Sequence, residues 1–170
     1  MSLITDEYRE MQAKLHEDAN YGIASTFYAP LVDKVIQSNQ AKEILDYGAG
    51  KCRLRDSLTS SVKYTPYEPS NPLWADKPEP CEMVVCIDVL EHIEPECLDD
   101  VLDDLQRLVI KYGFFTIHTG PAQKVLPDGR NAHLTQEPLS WWNEKLESRF
   151  TMIKQLAMEN GCIVFVKHKD

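Results

Sequence analysis

The segment Asp46-Tyr47-Gly48-Ala49-Gly50, within AKEILDYGAGKCRL, places an acid two residues before a glycine turn and constrains the fold more than any other stretch. Residues 43–47 have the apolar content of a short buried strand. The glycines that follow permit a sharp strand-to-helix turn whose backbone a ligand can approach closely. A helix is expected from about Lys51 to Leu58. Taken alone, the same pair of glycines also suits a plain tight turn that needs positive φ.

The remaining segments say what sheet this turn belongs to. VKYTPYE, residues 62–68, reads as a second strand. EMVVCID, residues 82–88, is a continuous apolar run between polar ends, which a strand covered on both faces requires. PECLDDVLDDLQRLVI, residues 95–110, repeats Leu98, Val101, Leu102, Leu105, Leu108 and Val109 at helical spacing, with Pro95 suited to its first turn. YGFFTIHT, residues 112–119, is the next strand; Pro138 opens a helix to about Glu147, and residues 149–170 form two strands around Glu159-Asn160-Gly161. Helices are also expected over residues 4–19 and 24–37, where Pro30 would bend the second or reset its start. The pattern implies a doubly wound α/β fold: a mostly parallel sheet whose C-terminal hairpin puts an antiparallel strand at or near one edge. At 170 residues, one domain is expected.

Charge and cysteine content narrow the functional classes. The net charge is −9, and residues 76–104 hold eleven acids against one lysine, a pattern expected of a solvated helix face. The absence of a basic stripe weighs against nucleic acid as a partner. The polar N-terminus and the lack of a long apolar run point to a cytoplasmic protein that does not enter the membrane. Five cysteines without a CxxC pair suggest reduced thiols filling space.

In a doubly wound sheet the ligand lies outside the carboxyl ends of the strands. Glu68 stands at the end of the second strand, 20 residues after Gly48, where its carboxylate can accept hydrogen bonds from both hydroxyls of a ribose. The third strand runs into Asp88, Glu91 and His92. Three strand ends thus bring acids to one rim.

Together, ILDYGAGKC, YEPS and VVCIDVLEHIEPE resemble the class I, Rossmann-like methyltransferases that use S-adenosylmethionine (SAM), over about residues 41–118. The resemblance implies that Asp46, Gly48, Ala49 and Gly50 meet the methionine end of SAM and that Glu68 meets its ribose. It implies that Asp88 and Val89, with the residues to His92, line the methionine and face the acceptor. Residues 1–40 would then be a helical cover, 41–118 the cofactor core, 119–148 the acceptor side and 149–170 the hairpin. Tyr21, Gly22 and Phe27 suit either a flap or a simple part of that cover.

The sequence departs from the family pattern twice. Cys52 stands where a third glycine is usual, and SNPLWADKPEP leaves too little chain for the helix and strand that ordinarily follow Glu68. A truncated sheet edge is expected, with Trp74 and Asp76 as positional candidates for contact with adenine. A nicotinamide site is disfavoured, because YGAGKCRLR lacks the last glycine of G-x-G-x-x-G.

The expected reaction is methyl transfer to a small-molecule acceptor. In the long loop 118–142, Arg130 can clamp an anionic acceptor or pair with Asp128, while Asn131 and Trp142 are further acceptor-side candidates. His133, His92 and His118 are each candidate general bases as well as ordinary structural histidines. Asp88 and these histidines show no recognisable metal-ligand spacing, so no metal is expected. A homo-oligomer is compatible with all of this. Two other uses of the same pocket stay open: non-methyl chemistry on SAM, and a non-catalytic SAM-binding subunit that activates a partner.

Overall fold

The structure, a computed structural model, describes residues 1–170. Six strands form one sheet: β1 (Glu43–Tyr47), β2 (Lys63–Tyr67), β3 (Cys81–Ile87), β4 (Val109–His118), β5 (Phe150–Met158) and β6 (Gly161–His168), in the order β2-β1-β3-β4-β6-β5. The first four are mutually parallel, with Asp46 opposite Pro66 on one side and Val85 on the other. Strand β6 runs antiparallel between β4 and β5. The sheet is therefore of the expected type, and its one reversed strand lies one place in from the edge.

Each side of the sheet is covered by two helices. Alternation along β3 sends Met83, Val85 and Ile87 to one face and Val84 and Cys86 to the other, and all five are buried. The first face packs under α2 (Ala24–Asn39) and the short α3 (Arg53–Ser57), through Tyr28, Val32, Ile36 and Leu54. The second packs under α4 (Leu98–Leu108) and α5 (Leu139–Glu147), through Leu98, Leu102, Leu105, Trp142 and Leu146. Helix α1 (Asp6–Leu15) lies apart from both layers: Thr5 Oγ1 caps it by accepting from Tyr8 N–H (3.2 Å), and Tyr8 packs against Leu126 and Ala132.

Several boundaries differ from the sequence reading for local reasons. Helix α1 stops at Leu15, and residues 16–23 become a series of turns that includes Gly22 at φ +78°. Pro30 sits inside α2, where its ring is exposed, and does not reset the helix start. Pro95 lies before α4, since Leu90–His92 forms a separate 3-10 turn and Cys97 precedes the first helical residue. Strand β2 is an edge strand, as the short connection after Glu68 implied, and Pro66 is tolerated there because an edge strand need not donate on both sides. The acidic run is not all solvated: Asp104 is fully buried, bonded to Arg107 Nε (2.9 Å) and to the Tyr47 hydroxyl (3.4 Å).

The packing predicts an asymmetric response to truncation. Leu105→Ala, at a fully buried position beneath α4, should cost about 2–5 kcal/mol, read as a lower urea midpoint at unchanged slope. Leu73→Ala, at a position 80% exposed, should stay within about 0.5 kcal/mol.

Candidate functional site

Because β1, β2 and β3 are parallel, their carboxyl ends deliver the 46–50 turn, Glu68 and Asp88 to one rim. There they line a cavity of about 970 Å³. Tyr21, Gly22, Val89, His92, His118, His133 and Lys124 complete much of its wall. The volume is that of a cleft for a nucleoside-sized ligand.

The glycine turn is fixed by its backbone. The amides of Gly48 and Ala49 both donate to the Tyr67 carbonyl, at 2.8 and 2.9 Å, which locks the turn to the end of β2. Gly48 has φ +79° and Gly50 φ +53°. A side chain at 48 would run into the methyl groups of Val89, and a Cβ at 50 would come 3.0 Å from the His16 ring. Cys52 takes φ +57°, the left-handed conformation that favours glycine, with its side chain fully buried. Its amide donates to the Ala49 carbonyl at 2.8 Å and closes the turn into α3.

Three acids face this space. Asp46 is buried and accepts from the Tyr64 hydroxyl; burial, aided by nearby Glu68, pushes its carboxyl up to about 7 although the tyrosine bond opposes this. Glu68 accepts from Gly50 N–H (3.0 Å) through Oε2, and from Ser70 N–H (3.0 Å) and Oγ–H (2.6 Å) through Oε1. Asp88 has φ +50°, its amide donates to the Thr116 carbonyl, and its carboxylate accepts from Thr116 Oγ1 (2.6 Å). Burial raises the Asp88 pKa despite that hydrogen bond.

Three histidines gather on the acceptor side. His92 and His133 stand edge to face with ring centroids 4.6 Å apart, and His118 lies 4.9 Å from His133. His133 Nδ1 donates to the Gly120 carbonyl (2.7 Å), so its Nε2 carries the free lone pair. The Gly120 amide donates to His118 Nδ1 (3.1 Å), which occupies the lone pair of that ring. Burial lowers the pKa of His92 to about 3 and lowers that of His133 as well, so both are neutral at pH 7.

The acceptor-side candidates from the loop divide differently. Arg130 is exposed, outside the cavity lining, and bonded to Asp128 through Nε (2.8 Å). Asn131 braces its own loop, accepting from the amides of Ala122 and His133 and donating to the Ala122 carbonyl, each at 2.9 Å. Trp142 is fully buried in the core under α5, while Trp141 stays partly exposed with Lys145 over its ring. None of the three reaches the cavity, because the loop folds back on its own polar groups and the helix spends its second tryptophan on the sheet. Trp74 and Asp76 also lie outside the lining. Of the flap candidates, Tyr21 and Gly22 line the cavity and Phe27 points away, 78% exposed.

His16 is a wall residue that sequence reasoning missed. Its ring covers Gly50, with Nε2 4.0 Å from Glu68 Oε2. The basic stretch after the glycines explains how it gets there: Lys51 Nζ donates to the carbonyls of Asp18 (2.6 Å) and Tyr21 (3.0 Å), and Arg53 donates to that of Ala19. The alternation of Lys51 and Arg53 was the available signal, but its partner carbonyls lie 30 to 34 residues away.

No protein-family model matches the chain, and no curated protein sequence does. Solved structures do. The Burkholderia thailandensis 1,6-didemethyltoxoflavin-N1-methyltransferase, with 1,6-didemethyltoxoflavin and S-adenosylhomocysteine bound, aligns over 100% of this chain and 93% of its own, at 16% identity and TM-score 0.68. The fold is that of the class I methyltransferases. The Synechocystis PCC 6803 magnesium protoporphyrin IX methyltransferase with bound SAM aligns over 98% of this chain and 93% of its own (13%, 0.62). An O-methyltransferase family protein from Burkholderia thailandensis aligns over all of this chain and 64% of its own (11%, 0.63). Within this methyltransferase fold, the present cavity occupies the rim reached by the parallel strand ends.

The glycine turn gives a direct test. Gly48→Ala should destabilise the protein by roughly 1–2 kcal/mol or more, since left-handed backbone strain adds to the collision with Val89. Combining it with Val89→Ala should recover part of that loss. A double-mutant cycle in urea showing strict additivity would rule out the contact.

Proposed function

We propose that the protein is a SAM-dependent methyltransferase acting on a small molecule. The observation that supports this best is the convergence of Asp46, the Gly48–Gly50 turn, Glu68 and Asp88 on one cavity large enough for a nucleoside and an acceptor together. The residues suit the cofactor chemically. Gly48 and Gly50 leave the backbone open to an amino-acid tail, Asp46 and Asp88 offer acceptors for an ammonium, and Glu68 can exchange its bonds to Ser70 for ribose hydroxyls.

When bound, the cofactor supplies the electrophilic methyl carbon. This chain's contribution is alignment and exclusion of water, from the 16–23 segment strapped over the turn and from Val89 against Gly48. His133 presents a neutral Nε2 toward the acceptor side and is the better placed of the three histidines to take a proton from an incoming hydroxyl or amine. His118 is less suited, its Nδ1 lone pair being engaged by Gly120. No charge preference is assigned to the acceptor: Arg130 is outside the cavity and the cation on the wall, Lys124, is paired with Asp18.

Titration calorimetry with SAM and S-adenosylhomocysteine tests the reading. Wild type should bind at the micromolar level and Glu68→Ala should weaken binding at least tenfold, about 1.4 kcal/mol. A well-folded wild type that binds neither ligand would end the proposal.

A second prediction concerns pH. The unliganded Asp46 carboxyl takes up its proton near pH 7, well above the ordinary aspartate range, while a bound ammonium favours the carboxylate. Binding of S-adenosylhomocysteine should therefore tighten as pH rises from about 6 to 7.5 and release protons, and Asp46→Asn should flatten that dependence. Calorimetry in buffers of differing ionisation enthalpy reads the protons directly.

A further inference from the structure

Glu91 is the one acid at the rim that the proposed reaction does not use, and its environment is unusual. Its side chain is fully buried. Oε1 accepts from the His118 amide (3.0 Å), but Oε2 has no hydrogen-bond partner. A buried carboxylate oxygen left without a donor is costly, and native structures seldom keep one without a reason. The groups beside it are the imidazoles of His92 and His133. One donor atom from each of the three lies within 4.8 Å of the others.

We infer that Glu91, His92 and His133 form a divalent transition-metal site in the wall of the cavity. A tetrahedral ion with ligand bonds of about 2.0–2.3 Å holds its donors roughly 3–4 Å apart, so small side-chain rotations close the set. Three protein ligands leave a position open, and His92 and His133 line the cavity while Glu91 stands behind them, so that position faces the cavity. His133 is already oriented as a ligand should be: its Nδ1–H is held by the Gly120 carbonyl at 2.7 Å, which aims the Nε2 lone pair away from it. Two imidazoles and one carboxylate select zinc, cobalt, iron or manganese over magnesium or calcium, which prefer oxygen shells.

The sequence hid this site because Glu91 and His92 are adjacent while His133 lies 41 positions further on, at the end of a loop folded by Asn131. Metal binding itself is independent of the methyl-transfer reading. Only its service to catalysis rests on that reading: with an ion bound, His133 Nε2 would be a ligand and no longer a base, and the ion, through its open position, would dock and acidify a hydroxyl of the acceptor instead.

The test uses the full chain, stripped with a chelator, without SAM. Calorimetry with zinc, cobalt, magnesium and calcium chlorides, together with the visible spectrum of the cobalt form, should show one site that takes zinc or cobalt at least tenfold more tightly than magnesium or calcium. Glu91→Gln and His133→Gln should each weaken it tenfold or more, whereas His168→Ala, on β6 and hydrogen-bonded to Val109, should leave it unchanged. Imidazole nitrogen NMR of wild type supplies an answer that requires no variant: zinc should shift His92 and His133 and spare His168. Absence of binding to folded wild type, binding indifferent to both variants, or shifts confined to other histidines would overturn the site. Because no cofactor is present, its failure would leave the SAM-binding test untouched.

Discussion

In a parallel sheet every strand delivers its carboxyl end to the same rim, and the candidate site depends on that constraint. Strand β1 pairs on both sides, so the turn after Tyr47 is flanked by the end of β2 and the end of β3. The double donation of Gly48 and Ala49 to the Tyr67 carbonyl turns this register into a fixed distance between the glycines and Glu68. Gly50 then donates to Glu68 itself, so the acid is oriented by the turn it would serve. A slip of one residue in the β1–β2 register would invert the faces of β2 and break all three bonds.

The electrostatics of the rim follow from the same geometry. Asp46, Asp88 and Glu91 are desolvated, and each has a raised pKa with burial as the leading cause. The neighbouring imidazoles of His16, His92 and His133 are shifted the other way by burial and offer no positive charge at neutral pH. Lys51 and Arg53 point their charges at backbone carbonyls of the 16–23 segment. The cavity is thus rich in carboxyl groups and poor in cations that could answer them. Such a wall favours a positively charged occupant, because a cation restores the ionised carboxylates that burial suppresses.

What was legible in the sequence was what is decided locally. The apolar run of β3, the glycines of the turn, the acid after β2 and the terminal hairpin all announce themselves within a few residues, and each occurs where expected. The illegible features depend on partners far along the chain. By sequence Trp142 is a candidate for the acceptor side, but the packing of α5 on the sheet buries its ring and leaves that of its neighbour Trp141 partly exposed. Arg130 carries the right chemistry for an anion, but Asp128 claims it two residues away. His16 belongs to a helix end with no motif, and it reaches the turn because residues 18–21 are held from the far side by Lys51 and Arg53. Cys52 stands where the resembled motif usually carries a glycine, and the backbone agrees by adopting a left-handed φ that cysteine rarely takes.

The truncated edge shows how a missing element can be replaced by hydrogen bonding. Beyond β2 the chain has no helix to anchor Glu68, yet the residue is held from three directions. Its amide donates to the Trp74 carbonyl (2.9 Å), its own carbonyl accepts from Asn71 N–H (3.1 Å), and its carboxylate binds Ser70. Trp74 N–H returns to the Asn71 carbonyl (2.9 Å), so the segment closes on itself as a compact turn. Further along, Arg107 of α4 donates to the Pro78 carbonyl (3.1 Å), while its guanidinium also meets the buried Asp104. The crossing from β2 to β3 is thereby tied to the opposite layer without a crossover helix. On this edge the position of the acid depends on a loop of a few polar contacts, and Trp74 contributes through its backbone whatever its ring does.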